Sequence, residues 1–503
     1  MLRLDDLIEA TGTKTKILLR GAETFPGLSI DSRTINKDEL FIALAGDRFD
    51  GHDYVAAALE VGAGAVIGRP LEKIFSFCPD KGKSVLLVED TLKALQAIAH
   101  HIRMKRPGMP VIGVTGSNGK TTTKELAALV LGRRFEALKS SGNFNNQIGL
   151  PLNLCRLDAG HGAAVLEMGA SRPGDIAELC AIARPTHGII TNVSESHLEG
   201  FSAGDGSGPM AGAEPMRALI NTKLELARSA QAVVYNADDP RLREAVLGEF
   251  GGEKKKTLIS FGMKQDADLR AEDIAMEAEG SVFRLSGRGQ STMAKLRAAG
   301  LFNVYNALAA AAAGLLFDIT LSEAAAAMAE FSGVPMRYGM REAAGVLILG
   351  DVYNANPASM EAAIEELVRL RGRRAVAVLG DMLELGRYSE EAHRRLGACL
   401  ARLPVDVFIA VGPMMEAACA EFSAVCGGGS GRLALSCADS VAAAKALMEN
   451  LRTGDTVLVK GSRGVRMERV LENMPGQKGE VGKAFKRDQN QNDASGRSKT
   501  QRG

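Results

Sequence analysis

Val111-Ile-Gly-Val-Thr-Gly-Ser-Asn-Gly-Lys-Thr-Thr-Thr-Lys-Glu125 is the stretch on which the reading of this chain turns. The apolar run Val111 to Val114 predicts a buried strand, Gly116 to Gly119 a tight loop, and the residues from Lys120 a helix. Strand, glycine-rich loop and helix in that order make a phosphate site. Gly116 and Gly119 let backbone N–H groups, including those of Ser117 and Asn118, converge on phosphate oxygens. Lys120 brings a positive charge to the β- and γ-phosphates, and the hydroxyl of Thr121, next to Thr122, can hold Mg²⁺. The usual pattern G-x-x-x-x-G-K-T would need glycine at 114. Val114 stands there, and the glycine lies one residue back at Gly113. A nucleoside triphosphate is the expected ligand.

The length of 503 residues predicts about three domains at roughly 150 residues each. A hydrophobic share of 46% supplies several cores, and a formal net charge of +1 provides no field to attract nucleic acid or anionic lipid. Neither a membrane-spanning run nor a signal-peptide pattern is present, so a cytoplasmic protein without membrane insertion is expected. Seven scattered cysteines without a C-x-x-C pair argue against disulfides and zinc; most are expected to be small buried residues.

The organisation is α/β. Residues 1–88 read as a small α/β domain with a strand near Glu39–Leu44. A helix from Thr91 to Arg106 leads into residues 89–332, where Ala163–Leu166, Gly188–Thr191 and Ala232–Tyr235 read as strands. Asn303 to Phe317 reads as an Ala- and Leu-rich helix. Such alternation implies a mainly parallel sheet covered on both faces, with ligands beyond its carboxyl edge. Residues 333–474 repeat the pattern in a Rossmann-like domain, with strands at Val346–Leu349, Ala375–Leu379, Val407–Val411 and Thr456–Val459. Ser202 to Pro215 reads as a flexible insertion, and residues 475–503 as a disordered polar tail.

Several polar residues follow predicted strands. Glu167 ends one, where a carboxylate needs a cationic partner: Mg²⁺, or Arg172 in a structural ion pair. His197 and Glu195 follow another. Lys223 has the look of a solvated helical lysine. In the third block Asp351 could accept hydrogen bonds from a ribose, while Asn354, Asn356 and Ser359 suit either a small polar substrate or a helix cap. Leu379-Gly-Asp-Met-Leu-Glu-Leu-Gly386 and Lys460-Gly-Ser-Arg-Gly464 add polar groups along the same edge.

Thr115-Gly-Ser-Asn-Gly-Lys-Thr121, Glu167, His197, Asn303-x-x-Asn306 and Asp351 together resemble the Mur ligases, ATP-dependent amide-forming enzymes of peptidoglycan synthesis. Asp31-Ser-Arg33, Leu44-Ala-Gly-Asp-Arg-Phe-Asp-Gly-His-Asp53, Tyr353–Met360 and Gly380–Gly386 resemble the member that joins D-alanyl-D-alanine to UDP-N-acetylmuramoyl-tripeptide. The resemblance implies three domains, the first holding the UDP end of the substrate near Ser32 and Arg33. It implies ATP at Gly116 to Thr122, with Asn303 and Asn306 near the adenine and Arg337 and Asp351 reaching over from the third domain. Thr121, Glu167, His197 and a carbamylated Lys223 would serve Mg²⁺, with Lys120, Glu167, His197 and Lys223 as the catalytic set. Asn354, Asn356 and Ser359 would bind the dipeptide, and a monomer is expected. Three positions depart from the family pattern: Ser194-Glu195-Ser196 where Gly and Ala are usual, Phe302 where a histidine is common, and the Ser202–Pro215 insertion. Sibling ligases of the family, a folylpolyglutamate-type ligase and a P-loop NTPase switch are the competing readings.

Overall fold

The computed structural model describes residues 1–46, 49–71, 82–202, 215–264, 266–277, 280–427 and 431–474. Most of the Ser202–Pro215 segment and the tail from Pro475 therefore lie outside the described residues. Three large sheets follow one another along the chain. The first has five strands in the order Lys16–Leu19, Ser84–Leu87, Gly64–Ile67, Leu40–Ile42, Leu28–Ser29, parallel except for the outermost Lys16–Leu19. The expected Glu39–Leu44 strand is thus shorter by three residues.

The central sheet has nine strands, and Val111–Thr115 lies between Ala163–Glu167 and His187–Ile190. All three run parallel, and Val114 stands beside Glu167 while Thr115 stands beside Ile190. Side chains alternate across the strand. Ile112 and Val114 enter a core with the helices Lys120–Leu131 and Leu301–Gly314, whereas Val111 enters the opposite core. Gly113 faces the helix Pro215–Ser229 so closely that a Cβ there would stand 2.6 Å from Leu226. The displaced glycine of the loop motif is therefore a packing residue that brings this helix onto the sheet.

The sheet is parallel only as far as Leu269–Glu277. The strands Gly280–Gly287 and Gln290–Leu296 extend it by antiparallel pairing. The expectation of a mainly parallel sheet holds for the part carrying the loop and needs this antiparallel extension at the far edge.

The third sheet has six strands in the order Gly339–Ala343, Val346–Asp351, Asp455–Lys460, Arg374–Gly380, Val407–Val411, Leu433–Cys437. Only the first pairing is antiparallel. Asp351 and Lys460 are register partners at the carboxyl edge. Among the described residues no helix is long and apolar enough to cross a membrane. Of the six described cysteines, all free, Cys155 and Cys180 are buried and the other four only half-buried, because they sit on amphipathic helices and an edge strand.

Candidate active site

The glycine-rich loop is built for close approach. Gly116 (φ +150°) and Gly119 (φ +80°) are left-handed, and a Cβ at either would collide with Thr191 Oγ1 or Asn306 Oδ1. Their neighbours fix the loop before any ligand arrives. The backbone N–H groups expected to face phosphate are engaged within the protein instead: that of Ser117 donates to the Asn192 carbonyl at 3.0 Å, and that of Asn118 to Asn192 Oδ1 at 2.9 Å. Lys120 folds back onto the loop, its Nζ donating to the carbonyls of Gly116 (2.8 Å) and Ser117 (3.2 Å). Burial pushes its pKa down, Glu167 opposes that shift and Arg337 adds to it. A phosphate at the loop would supply the anionic partner that this ammonium lacks.

Thr121 and Thr122 are buried in the first turn of the helix that follows. Asn306 accepts from Thr123 Oγ1 at 3.1 Å and donates to Asn303 Oδ1 at 3.2 Å, and Asn303 in turn donates to the Ala299 carbonyl at 2.7 Å. Both asparagines thus sit on the inner face of the helix Leu301–Gly314, against the loop.

Glu167 is 1% exposed, at the strand end beside the loop. Asn145 donates to its Oε1 at 2.7 Å, while Oε2 is buried without a hydrogen-bond partner among the described residues. The alternative partner considered from sequence, Arg172, turns instead to Asp175 at 3.0 Å. An orphaned buried carboxylate oxygen is costly, and a divalent cation is the partner that fits it.

Lys223 corrects the sequence expectation of a solvated side chain. It is 2% exposed, on the helix that Gly113 admits to the sheet, and no hydrogen bond or ion pair holds it among the described residues. Burial lowers its pKa well below the ordinary lysine value, and the charge of Lys120 lowers it further. A lowered pKa favours the uncharged amine, the nucleophilic form that captures carbon dioxide.

His197 lies in the loop after the strand His187–Ile190, with φ +55°. Its Nδ1 is held by Glu384, itself at φ +65°, across the seam with the third domain. A carboxylate on Nδ1 fixes the ring's orientation and turns Nε2 outward, the arrangement seen in ligand histidines. Two non-glycine residues in left-handed backbone facing each other across a cleft are the kind of strain that accumulates at functional sites.

The third domain meets the loop at further points. Arg337 stacks over the Tyr353 ring at 3.7 Å and reaches Thr121 Oγ1 at 3.4 Å. Asn356 Nδ2 donates to Asn118 Oδ1 at 2.8 Å. Asn356 also caps the helix Pro357–Arg369 in a reciprocal box with Ser359, so capping engages two of the three polar residues singled out there. Asn354 gives its backbone carbonyl to Lys460 Nζ at 2.9 Å. The Asp351 carboxylate is ion-paired with that same Lys460, a buried partner to which sequence reading gave no role. Its position at the end of an apolar strand was the available signal. Asn145, Asn192, Glu384 and Arg395 were likewise not singled out, and only Glu384 lay within a motif already quoted.

Ser32 and Arg33 lie in the turn after Leu28–Ser29, on the first sheet; Arg33 forks onto Asp31 at 2.9 and 2.7 Å. In the neighbouring motif His52 is structural, taking the Gly68 N–H on Nε2 at 2.7 Å while Nδ1 meets Asp50 at 2.6 Å. Away from the loop, Asp6, Glu9 and His101 are close enough to share an ion, but Lys105 already neutralises Asp6 at 2.5 Å.

Three family descriptions match successive parts of the chain: the Mur ligase family catalytic domain at residues 24–103, the Mur ligase middle domain at 114–314 and the glutamate ligase domain of Mur ligases at 336–463. The UDP-N-acetylmuramoyl-tripeptide–D-alanyl-D-alanine ligase of Bacillus subtilis is 34% identical over 458 residues, covering 89% of this chain and 93% of the relative. MurF from Acinetobacter baumannii superposes with a TM-score of 0.81 at 29% identity, covering 94% of this chain and 98% of that one. MurF ligase from Thermotoga maritima, solved in complex with ADP, gives 0.74 at 31% identity, covering 92% and 98%. On this similarity along nearly its whole length, the chain belongs to the Mur ligase family and has that family's three-domain α/β architecture.

Proposed function

We propose that this protein is the ATP-dependent ligase that joins D-alanyl-D-alanine to UDP-N-acetylmuramoyl-tripeptide, completing the UDP-muramoyl-pentapeptide of peptidoglycan in the cytoplasm. The observation that carries this is the full-length similarity to ligases of that name, combined with a phosphate loop that third-domain residues reach directly. Residues 1–88 would hold the UDP end, with Ser32 and Arg33 beside it. Residues 89–332 would hold ATP, and residues 333–474 the dipeptide.

In this reading the tripeptide's terminal carboxylate attacks the γ-phosphorus of ATP, giving an acyl phosphate and ADP. The dipeptide amine then adds to the acyl carbon, and the tetrahedral intermediate expels inorganic phosphate as the amide forms and the amine proton leaves. Lys120 withdraws from the Gly116 and Ser117 carbonyls to meet the phosphates and stabilises the charge on the transferring group. Asn303 and Asn306 border the adenine, while Arg337 and Asp351 reach the nucleotide from the third domain. Lys460 holds Asp351 in place for ribose hydroxyls. Asn354, Asn356 and Ser359 face the dipeptide.

Thr121, Glu167, His197 and Lys223 would hold Mg²⁺, which supplies charge neutralisation at the phosphates. The unpartnered Glu167 oxygen is the feature that fits it. Lys223 joins that set as a carbamate: its neutral amine adds to carbon dioxide, a proton leaves, and a buried base becomes a carboxylate-like ligand.

Phosphate release from ATP tests the reading, with UDP-N-acetylmuramoyl-tripeptide and D-alanyl-D-alanine supplied singly and together. Release only with both, accompanied by the mass of the pentapeptide product, is expected. Release that ignores the dipeptide points to a sibling ligase or an NTPase switch.

A further inference from the structure

The loop that carries His197 is tied on two sides, just ahead of that residue. Ser194 and Ser196 bind it to the phosphate loop: the Ser194 N–H donates to Ser117 Oγ at 2.9 Å, and Ser117 Oγ donates to the Ser194 carbonyl at 2.9 Å. Asn118 Nδ2 donates to Ser194 Oγ at 3.0 Å, and Ser196 Oγ meets Ser117 Oγ at 3.0 Å. Between these serines Glu195 points the other way. Its carboxylate meets Arg395 at 2.6 Å, on the third-domain helix Ser389–Arg402. An unbroken polar chain therefore runs from a third-domain helix through Glu195 to the two loop residues, Ser117 and Asn118, that precede Gly119 and Lys120.

We propose that Glu195 and Arg395 form a latch that couples third-domain closure to the set of the phosphate loop, making both of them positioning residues for the reaction. The chemistry around the pair gives it two states. Arg395 lies beside Glu361 on the neighbouring helix Pro357–Arg369, where Glu365 adds further negative charge. When the domains part, Arg395 turns from Glu195 to Glu361, so the guanidinium stays neutralised while the loop loses its tether. Both members are partly exposed, 51% for Arg395 and 32% for Glu195. Such a pair biases closure modestly and reversibly, which a domain that must reopen after each turnover requires. The latch deepens the ligase reading and rests on it for its kinetic consequence alone.

The test uses the full chain in four forms: wild type, Glu195→Arg, Arg395→Glu and the double charge swap. Small-angle scattering of the ligand-free protein reads closure independently of activity. Each single reversal is expected to enlarge the radius of gyration, and the double swap to restore it. In ligase assays the singles raise KM for dipeptide and ATP by about three- to tenfold. Saturating substrates pull the domains shut, so kcat stays within about twofold, and the double swap recovers KM. Glu195→Gln and Arg395→Gln give the same pattern at smaller amplitude and serve if a reversal disturbs folding. Singles that scatter and turn over like wild type overturn the latch, as does a double swap no better than the singles. If the scattering pattern holds while wild type forms no pentapeptide, the latch stands and the ligase reading falls.

Discussion

The first and third domains both abut the central sheet, and they do so through opposite kinds of surface. The first shares one apolar core with it: Leu4, Leu7, Phe25, Leu40 and Leu86 belong to the same buried cluster as Leu95, Ile98, Val111, Leu166 and Ile176. The third domain instead meets the centre through Glu195–Arg395, His197–Glu384, Asn118–Asn356 and Arg337–Thr121. Apolar contact there includes Ala299 and Phe302, the latter edge-on to Tyr338 at 4.9 Å. A shared dry core resists separation, while ion pairs and side-chain hydrogen bonds exchange readily with water. The third domain's seam is thus the one that parts at lower cost, which is what the proposed latch requires.

The largest effect is expected in the apolar seam. Leu95→Asp places an unpaired charge in the shared core and should cost about 3–5 kcal/mol. Calorimetry should show the first and central domains melting together at lower temperature; a first domain that melts alone would break the comparison.

Lys223 sharpens it from the rigid side, since its helix contributes Leu226 to that same core. Its folded-state pKa is lowered, so between that value and the ordinary lysine value the unfolded chain binds a proton that the folded one does not. Stability therefore rises with pH across that window. Lys223→Met should raise the neutral-pH melting temperature, flatten that slope and abolish ligation. A destabilised Lys223→Met protein would contradict a buried amine whose pKa is lowered by desolvation.

In the polar seam, Asn356→Ala removes a helix cap and the contact to Asn118, which should cost about 1 kcal/mol of stability. Its larger consequence is expected in KM for the dipeptide, and steady-state kinetics beside thermal melts separate the two. Smallest of all should be the effect of salt. Raising ionic strength screens Glu195–Arg395, so the scattering radius of the ligand-free protein should grow slightly while the first two domains keep their mutual distance.

The part of the architecture that sequence made readable is the part built from local pattern. Val407–Val411 forms the strand expected of it, and Val111–Thr115 and Ala232–Asn236 each run one residue longer than expected. The antiparallel strands Gly280–Gly287 and Gln290–Leu296 have no apolar run to mark them, and only alternation about the turn at Arg288-Gly289 signals them. The site divides in the same way. Lys120, Glu167 and His197 follow strands and could be singled out from that fact alone. Glu195 with Arg395, His197 with Glu384 and Asn118 with Asn356 could not be paired, because each contact depends on how two separately folded domains face each other. The burial of Lys223 was hidden for a related reason: it follows from the missing side chains of Gly113 and Gly188, which let the helix sink onto the sheet.

The central claim is that the phosphate loop activates a carboxylate for amide formation, and the path of one oxygen atom tests it most directly. UDP-N-acetylmuramoyl-tripeptide carrying a heavy isotope at both oxygens of its terminal carboxylate is incubated with ATP, Mg²⁺ and D-alanyl-D-alanine, and the released phosphate is weighed by mass spectrometry. Attack of that carboxylate on ATP requires one labelled oxygen to appear in inorganic phosphate for each pentapeptide formed. Phosphate released without the label would mean that water, not the substrate, took the phosphoryl group, and the ligase mechanism would be wrong for this chain.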